Sequence, residues 1–538
     1  MPHLPVLTAL GASLFIGTLL SGCAQPAPAT LPVASPLVTT FGFTSLDGQE
    51  SSLRAQGIRI FGKAGGGASS ASQDFEPEYI AVSADSSTAW VTLQENNALA
   101  LIDLKSGTVS VKALGFKDHS AAGNALDASD LDTKINIQNW PVKGMYQPDG
   151  LAAFSVGGAT YTISANEGDA RDYTALPEAR RVKDLKLDPA AFPNAAALQA
   201  DAALGRLNVT SQLGDTDGDG DFDALYSFGG RSFSVRDAAG TLIYDSGDLI
   251  ERTVAAQFPA RFNANSTSNT FDTRSDDKGP EPEGVTVGQV GGRTLAFLGL
   301  ERMGGVMVID VSTPASPTLL SYVNPRDFTQ DVKTAAAGDL APEGLAFVPA
   351  AQSPNGRAML IVANETSGTT TLYDVADSGI LTPLGRSRAP APAYDVGAAE
   401  IPAYDPASKR VFVVNGGNTS LDILDVADPS RPTLVKSVPL QGYGGSANSV
   451  AVSGGVVAVA VQNDANRQAN GKVVLLDKDG VLLAKPVEVG ALPDMLVFTP
   501  DGQNLLVANE GEPSSDYAAD PVGSVSMVNL DAALKVGK

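Results

Sequence analysis

Three apolar runs in this chain end in the same pair of residues, Asn166-Glu167, Asn364-Glu365 and Asn509-Glu510, and a fourth ends at Glu301 in "LGLERMG". A second set of acids opens apolar runs: Glu78 in "EPEYIAV", Asp149 in "QPDGLAAF", Glu283 in "EPEGVTV", Glu343 in "APEGLAF", Glu400 in "GAAEIPAY" and Asp494 in "LPDMLVF". Carboxylates can bind a cation, take up a proton or pair with Arg and Lys. A third set is contiguous. In "DTDGDGDFD", Asp215, Asp217 and Asp219 fall at positions 1, 3 and 5 of a calcium-loop pattern, Gly220 at 6 and Asp223 at 9. Asp221 adds one more carboxylate, but Tyr226 stands at position 12, where the bidentate Glu belongs. Ca²⁺ is the expected ligand of that loop, in a structural role, and a solvated acidic loop is the alternative.

Other chemistries are poorly supplied. There is no Gly-x-Ser-x-Gly elbow, and the histidines are His3 and His119 alone. With Cys23 the one cysteine, zinc is a poor fit and no intrachain disulfide can form. His119 is expected to be a packing or surface residue. "GKAGGGASS" precedes no helix, so it reads as a loop and not as a phosphate cradle.

The elements that must position the acids repeat. Each unit has an acid-bearing turn, an apolar strand, a tight turn, and a second strand ending in Glu or Asn. A third strand then ends in Asp or Asn, at Asp103, Asp237, Asp310, Asp374, Asp425, Asp477 and Asn529. These seven repeats of short strands predict an all-β, seven-bladed β-propeller, with a β-helix as the weaker reading. The third-strand acids are expected to cap the following turn. The last blade lacks a fourth strand, which "VTTFGFTSL" or "GIRIFG" near the other end could supply, removing both sheet edges. Insertions interrupt the period at 115–147, 170–227 and 246–280; the second carries an expected helical stretch, "DPAAFPNAAALQADAALG".

A propeller brings the opening acids and the second-strand acids to one face of its channel. Glu78, Asp149, Glu283, Glu343, Glu400 and Asp494 are therefore expected to share a mouth with Glu95, Glu167, Glu301, Glu365 and Glu510, with Asn415, Asn448 and Asn463 at the other three positions. At about 4 Å, two like charges repel by roughly 4 kcal/mol at an effective dielectric near 20. The mouth must then hold cations, of which Ca²⁺ suits oxygen ligands, or find partners such as Arg171, Arg302, Lys278 and Arg326.

The 538 residues include 55 Gly and 34 Pro and carry a formal charge of −23, which speaks against nucleic acid as a partner. The start reads as a targeting segment. Residues 1–22 form a signal peptide, and "LSGC" resembles a lipobox whose Cys23 takes lipid. A plain secretory signal is the alternative, since "MPH" lacks Lys or Arg. Residues 23–36 read as a Pro/Ala-rich tether and 37–538 as one propeller.

The blocks "LRAQGIRIFG", "VTLQENNALALID", "INIQNWPVKGMYQPDG", "ANEGDARDY", "DDKGPEPEGVTVG" and "LPDMLVFTPDGQNLLVANEGEPSSDY" resemble the choice-of-anchor I family of bacterial cell-surface β-propellers. The likeness runs from about Phe41 to Leu530. The block order, with "AEIPAYDPASKRVFVVNG" late in the chain, reads as a circular permutation. The resemblance implies a surface protein, here held to the membrane by the Cys23 lipid, that binds Ca²⁺ and an unknown ligand or partner without catalysis. Relatives are also labelled alkaline phosphatase or phytase-like. That likeness implies the alternative, a Ca²⁺-dependent phosphoesterase, with metal on Glu167, Glu301, Glu365 and Glu510. Arg171, Arg302 and Lys278 would then grip phosphate.

Overall fold

A computed structural model of the chain describes residues 37–63 and 67–536. The expected signal peptide, Cys23 and the expected tether lie outside the described residues.

Seven four-stranded antiparallel sheets dominate. In chain order their first strands are Pro77–Val82 (blade I), Leu151–Val156 (II), Pro282–Val290 (III), Pro342–Val348 (IV), Pro402–Asp405 (V), Ala447–Ser453 (VI) and Pro493–Phe498 (VII). Each first strand packs against the first strand of the next blade, and that of blade VII against that of blade I, so the circuit closes around a channel. The sheets form the expected β-propeller. Blade VII is completed by Val38–Gly42, which pairs along its length with Ser524–Asn529. Of the two candidates in the sequence, "VTTFG" supplies the strand, and "GIRIFG" lies outside the sheet.

Strand alternation explains the core. In blade VII, Leu505 and Val507 face blade VI, whereas Leu506 and Ala508 face blade I. The same division recurs around the ring, so the apolar core is seven seams between neighbouring blades. Both faces of the middle strands are buried, which is why they read as unbroken apolar runs. The third-strand acids act as turn caps. Asp103 accepts from the Lys105 and Ser106 amides, and Asp477 from those of Asp479 and Val481. Asp374 is the exception and pairs with Arg357.

The insertions do more than hang on a face. Strands from the first two form one five-stranded sheet, Ala179–Arg181, Asn208–Thr210, Tyr226–Ser227, Lys143–Met145 and Phe116–Asp118. Trp140, Val182, Phe192, Leu204 and Leu225 give it an apolar cluster of its own. The expected helical stretch is largely turns, with only Ala195–Leu198 helical. Pro193 bars the helix upstream and Gly205 ends the turn downstream, while Phe192 and Leu204 are drawn into the satellite cluster. The longer helix, Leu249–Gln257, belongs to the third insertion and buries Ile250 and Val254 against blades II and III.

Candidate functional site

The opening acids reach the channel through a shared irregularity. In blades I, III, IV, VI and VII the pairing of first and second strands skips a step near its start. The skipped residues include Glu78, Glu283, Glu343, Asn448 and Asp494 respectively. A bulge releases a residue from the ladder and re-aims its side chain. Here it turns one polar group towards the axis in each of these five blades, while Asp149 and Glu400 stand just before the first strands of blades II and V. The residue before the proline is left-handed at Gln147, Glu281, Ala341 and Leu492, with φ between 41° and 58°. Such backbone is costly for a non-glycine residue, yet it recurs at four blades. The glycine after the acid is a close-approach residue. A Cβ on Gly284 would lie 2.1 Å from the Glu343 carbonyl oxygen, and one on Gly344 would lie 2.6 Å from that of Glu400.

Glu78, Asp149, Glu283, Glu343, Glu400 and Asp494 line one cavity of about 250 Å³, with Asn448 supplying the group of blade VI. Burial raises the pKa of all six acids, and their neighbours' charges raise it further. Glu400 is pushed up to about 8 and Asp494 to about 7. Glu283 keeps one oxygen, Oε2, buried and without a hydrogen-bond partner.

The second-strand ends form a tier beside this cavity. The asparagine of each Asn-Glu pair is structural: Asn166 Nδ2 donates to the Ser232 and Ser234 hydroxyls, and Asn509 Nδ2 to that of Ser526. The glutamate that follows is left to face its neighbours. Glu167 accepts from Lys278 Nζ at 2.5 Å and from Gln94 at 2.9 Å. Glu301 pairs with Arg302 at 2.6 Å. Glu365 and Glu510 have raised pKa values through burial, then through Arg302 partly offsetting it at Glu365 and through Asp494 and Glu512 adding to it at Glu510. Asn415 binds Asp422, and Asp464 caps its own loop at the Ser446 amide.

Sequence reasoning missed the hub of this tier, Glu281, which is fully buried among Lys278 (3.3 Å), Arg302 (3.1 Å) and Arg274. Burial pushes its carboxyl up, but the three cations outweigh that and hold it at about 2. Glu76 was missed for the same reason. Both are the first acid of a Glu-Pro-Glu triplet, at 76–78 and 281–283, and that repeat was the available signal. The first acid of each triplet takes a buried cation and the second faces the channel.

The expected phosphate grip is mostly committed elsewhere. Arg171 is buried, paired with Glu76, bonded to the Asp74 carbonyl at 2.7 Å and stacked on Phe61. Lys278 serves Glu167 and Glu281. Arg302 keeps 30% of its side chain accessible. Arg326 serves backbone carbonyls of Arg302, Asn265 and Ser268 and the Asn269 side-chain oxygen, and among the described residues it pairs with no acid. The two similar loops after Glu167 and Glu510 clasp each other. Tyr173 packs edge-on against Tyr517 at 5.4 Å, and Thr174 bonds Ser515.

The aspartate loop is exposed and separate. It brings oxygens of Asp215, Asp217 and Asp223 within 4.8 Å of one another, but not Asp219. Asp221 turns away to Lys186 at 3.0 Å. His119 is a packing residue, buried with Nδ1 2.6 Å from the Asn124 carbonyl oxygen.

The chain is 35% identical to Gigasin-3a of Magallana gigas over 207 residues, 36% of this chain and 72% of that protein. It is 29% identical to the mesenchyme-specific cell surface glycoprotein of Strongylocentrotus purpuratus over 251 residues, 39% of this chain and 32% of that protein's length. Among solved structures, the β-propeller domain of Cps50 (Swd1) from Myceliophteria thermophila is similar, with a TM-score of 0.43 and 11% identity over 85% of this chain and 97% of that one. The choice-of-anchor I domain matches residues 28–314 and 400–535, well over half of the sequence. The chain belongs to the choice-of-anchor I family.

Proposed function

We propose that this protein is an exported cell-surface propeller whose acidic channel mouth binds a divalent cation, Ca²⁺ by its oxygen ligands, and through it an outside ligand or partner. One observation carries the reading: six blades each place a carboxylate on one cavity of about 250 Å³ and the seventh places Asn448 there. Crowded half-buried carboxylates stay charged only with a cation among them, and Ca²⁺ accepts six to eight loosely arranged oxygens. The surface location is supported by the family and by the cell surface glycoprotein among the relatives. The lipid on Cys23 is part of the proposal as the anchor, and the Asp215–Asp223 loop is a second, structural Ca²⁺ position.

Turnover is not included. A phosphoesterase would need Arg171 and Lys278 to leave Glu76 and Glu167, and Arg302 alone retains accessible donors. Calorimetric titration of the full chain with CaCl₂ tests the binding claim. Saturable heat that persists when Asp215→Asn and Asp217→Asn silence the loop supports it, and its loss in that variant contradicts it. Ca²⁺-dependent phosphate release from p-nitrophenyl phosphate, abolished by Arg302→Met, would replace the proposal with the hydrolytic reading.

A further inference from the structure

Three groups of acids at the mouth bring oxygens within 4.8 Å of one another: Glu78, Asp494 and Glu510; Asp149, Glu167 and Glu283; and Glu167, Glu281 and Glu301. They are not equivalent. The second and third share Glu167, whose carboxylate already holds the Lys278 ammonium at 2.5 Å. Arg302 and Arg274 close on Glu281, and Arg302 also holds Glu301. Side-chain cations fixed on Glu167, Glu281 and Glu301 repel a metal; among the described residues Asp149 and Glu283 have no ion pair of their own, and the group they form is completed by Glu167, which Lys278 holds.

The first group has no such partner. Among the described residues, no Lys or Arg is ion-paired with Glu78, Asp494 or Glu510. Arg467, whose charge acts on Asp494, is held by Glu512 at 3.1 Å. Arg171 is held by Glu76 and Asp74. A separate observation comes from the same blade as Glu78, just past the second strand, Thr88–Leu93, whose Leu93 pairs with Pro77. Glu95 is only 9% exposed, and its Oε2 is buried with no hydrogen-bond partner. Its charge acts on both Glu78 and Glu510, and its own burial is only partly offset by the charges of Arg171 and Arg59, neither of which bonds its carboxylate. A buried carboxylate oxygen is ordinarily satisfied by a donor or a cation.

We propose that the mouth holds its divalent cation on one side only, in the seam between blades VII and I, with Glu78, Asp494 and Glu510 as ligands and Glu95 behind them. This rests on the cation-binding reading above and divides the ring into two halves. Blades II and III carry built-in cations. Blades VII and I take theirs from solution. The ligand is a hard ion of the Ca²⁺ class, since every donor is an oxygen and neither a thiolate nor an imidazole is at hand.

The test uses the full chain carrying Asp215→Asn and Asp217→Asn, so that the exposed loop adds no site, with CaCl₂ as the probe. Asp494→Asn and Glu510→Gln are expected to weaken Ca²⁺ binding about tenfold or more through loss of a ligand. Asp149→Asn and Glu283→Gln are expected to weaken it about threefold, through lost long-range charge. These near-isosteric changes relieve like-charge repulsion, so the variants should fold. Thermal unfolding in chelator checks this, and the rise in Tm on adding Ca²⁺ should shrink in Glu510→Gln. If Asp149→Asn and Glu283→Gln lose binding while Asp494→Asn and Glu510→Gln keep it, or if all four weaken it equally, the one-sided site is wrong. If the background chain shows neither heat nor a Tm rise with Ca²⁺, the cation-binding reading itself fails.

Discussion

At the residue scale, identical side chains have opposite fates a few ångströms apart. Glu281 is held at about 2 because Lys278, Arg274 and Arg302 outweigh the cost of burial. Glu301 is pushed up to about 7 by burial, with Arg302 only partly offsetting it. Glu343 is raised well above the usual range by burial and by Glu365, with no cation to oppose them. The Lys278 pair is therefore structural. Lys278→Met should leave Glu167 and Glu281 buried with too little compensation and cost about 3 kcal/mol or more in urea unfolding. An unchanged midpoint would mean that the two acids find protons or other partners at no cost.

At the element scale, ring closure depends on one strand taken from the far end of the chain. Val38–Gly42 completes blade VII and buries Phe41 in the seam with blade I. Deleting residues through Gly42 should expose the edge of Ser524–Asn529 and remove that Phe. We expect a loss of about 3 kcal/mol or more, with concentration-dependent aggregation seen by light scattering. A monomer with the parent Tm would contradict this account of closure. Much of the element layout was legible in the sequence. The repeat of Pro-acid-Gly turns, Asn-Glu ends and third-strand acids marks the blades, because ring geometry imposes the same local demands on each. Three things were not legible. The satellite sheet joins short strands from two insertions around Trp140 and Leu225, and none of these strands is long enough to show a period. The short helix at Ala195–Leu198 yielded to tertiary packing of Phe192 and Leu204. Glu281 and Glu76 precede prolines, and only the ring's geometry shows which acid of each Glu-Pro-Glu triplet turns inward.

At the scale of the whole molecule, the distribution of raised carboxyls sets the response to pH. Burial lifts Glu400 to about 8, Asp272 to about 8 and Asp127 to about 7. Between the ordinary carboxyl range near 4 and those values, the folded chain keeps protons that the unfolded chain has released. These groups therefore contribute stability that is fully present below about pH 4 and is lost as pH rises through 7 to 8. In chelator, the thermal midpoint should fall from pH 5 to pH 8.5. Glu281 works in the opposite sense, losing its contribution only as pH falls towards 2, outside that window. A midpoint that is flat or rises over the window would show that the buried acids are already compensated without a cation.

Anomalous scattering from crystals grown with Tb³⁺, a stand-in for Ca²⁺, locates the ion directly. The account predicts a peak in the channel mouth about 2.3–2.6 Å from oxygens of Glu78, Asp494 and Glu510. Peaks confined to the exposed loop of Asp215, Asp217 and Asp223, with none in the channel, would contradict it.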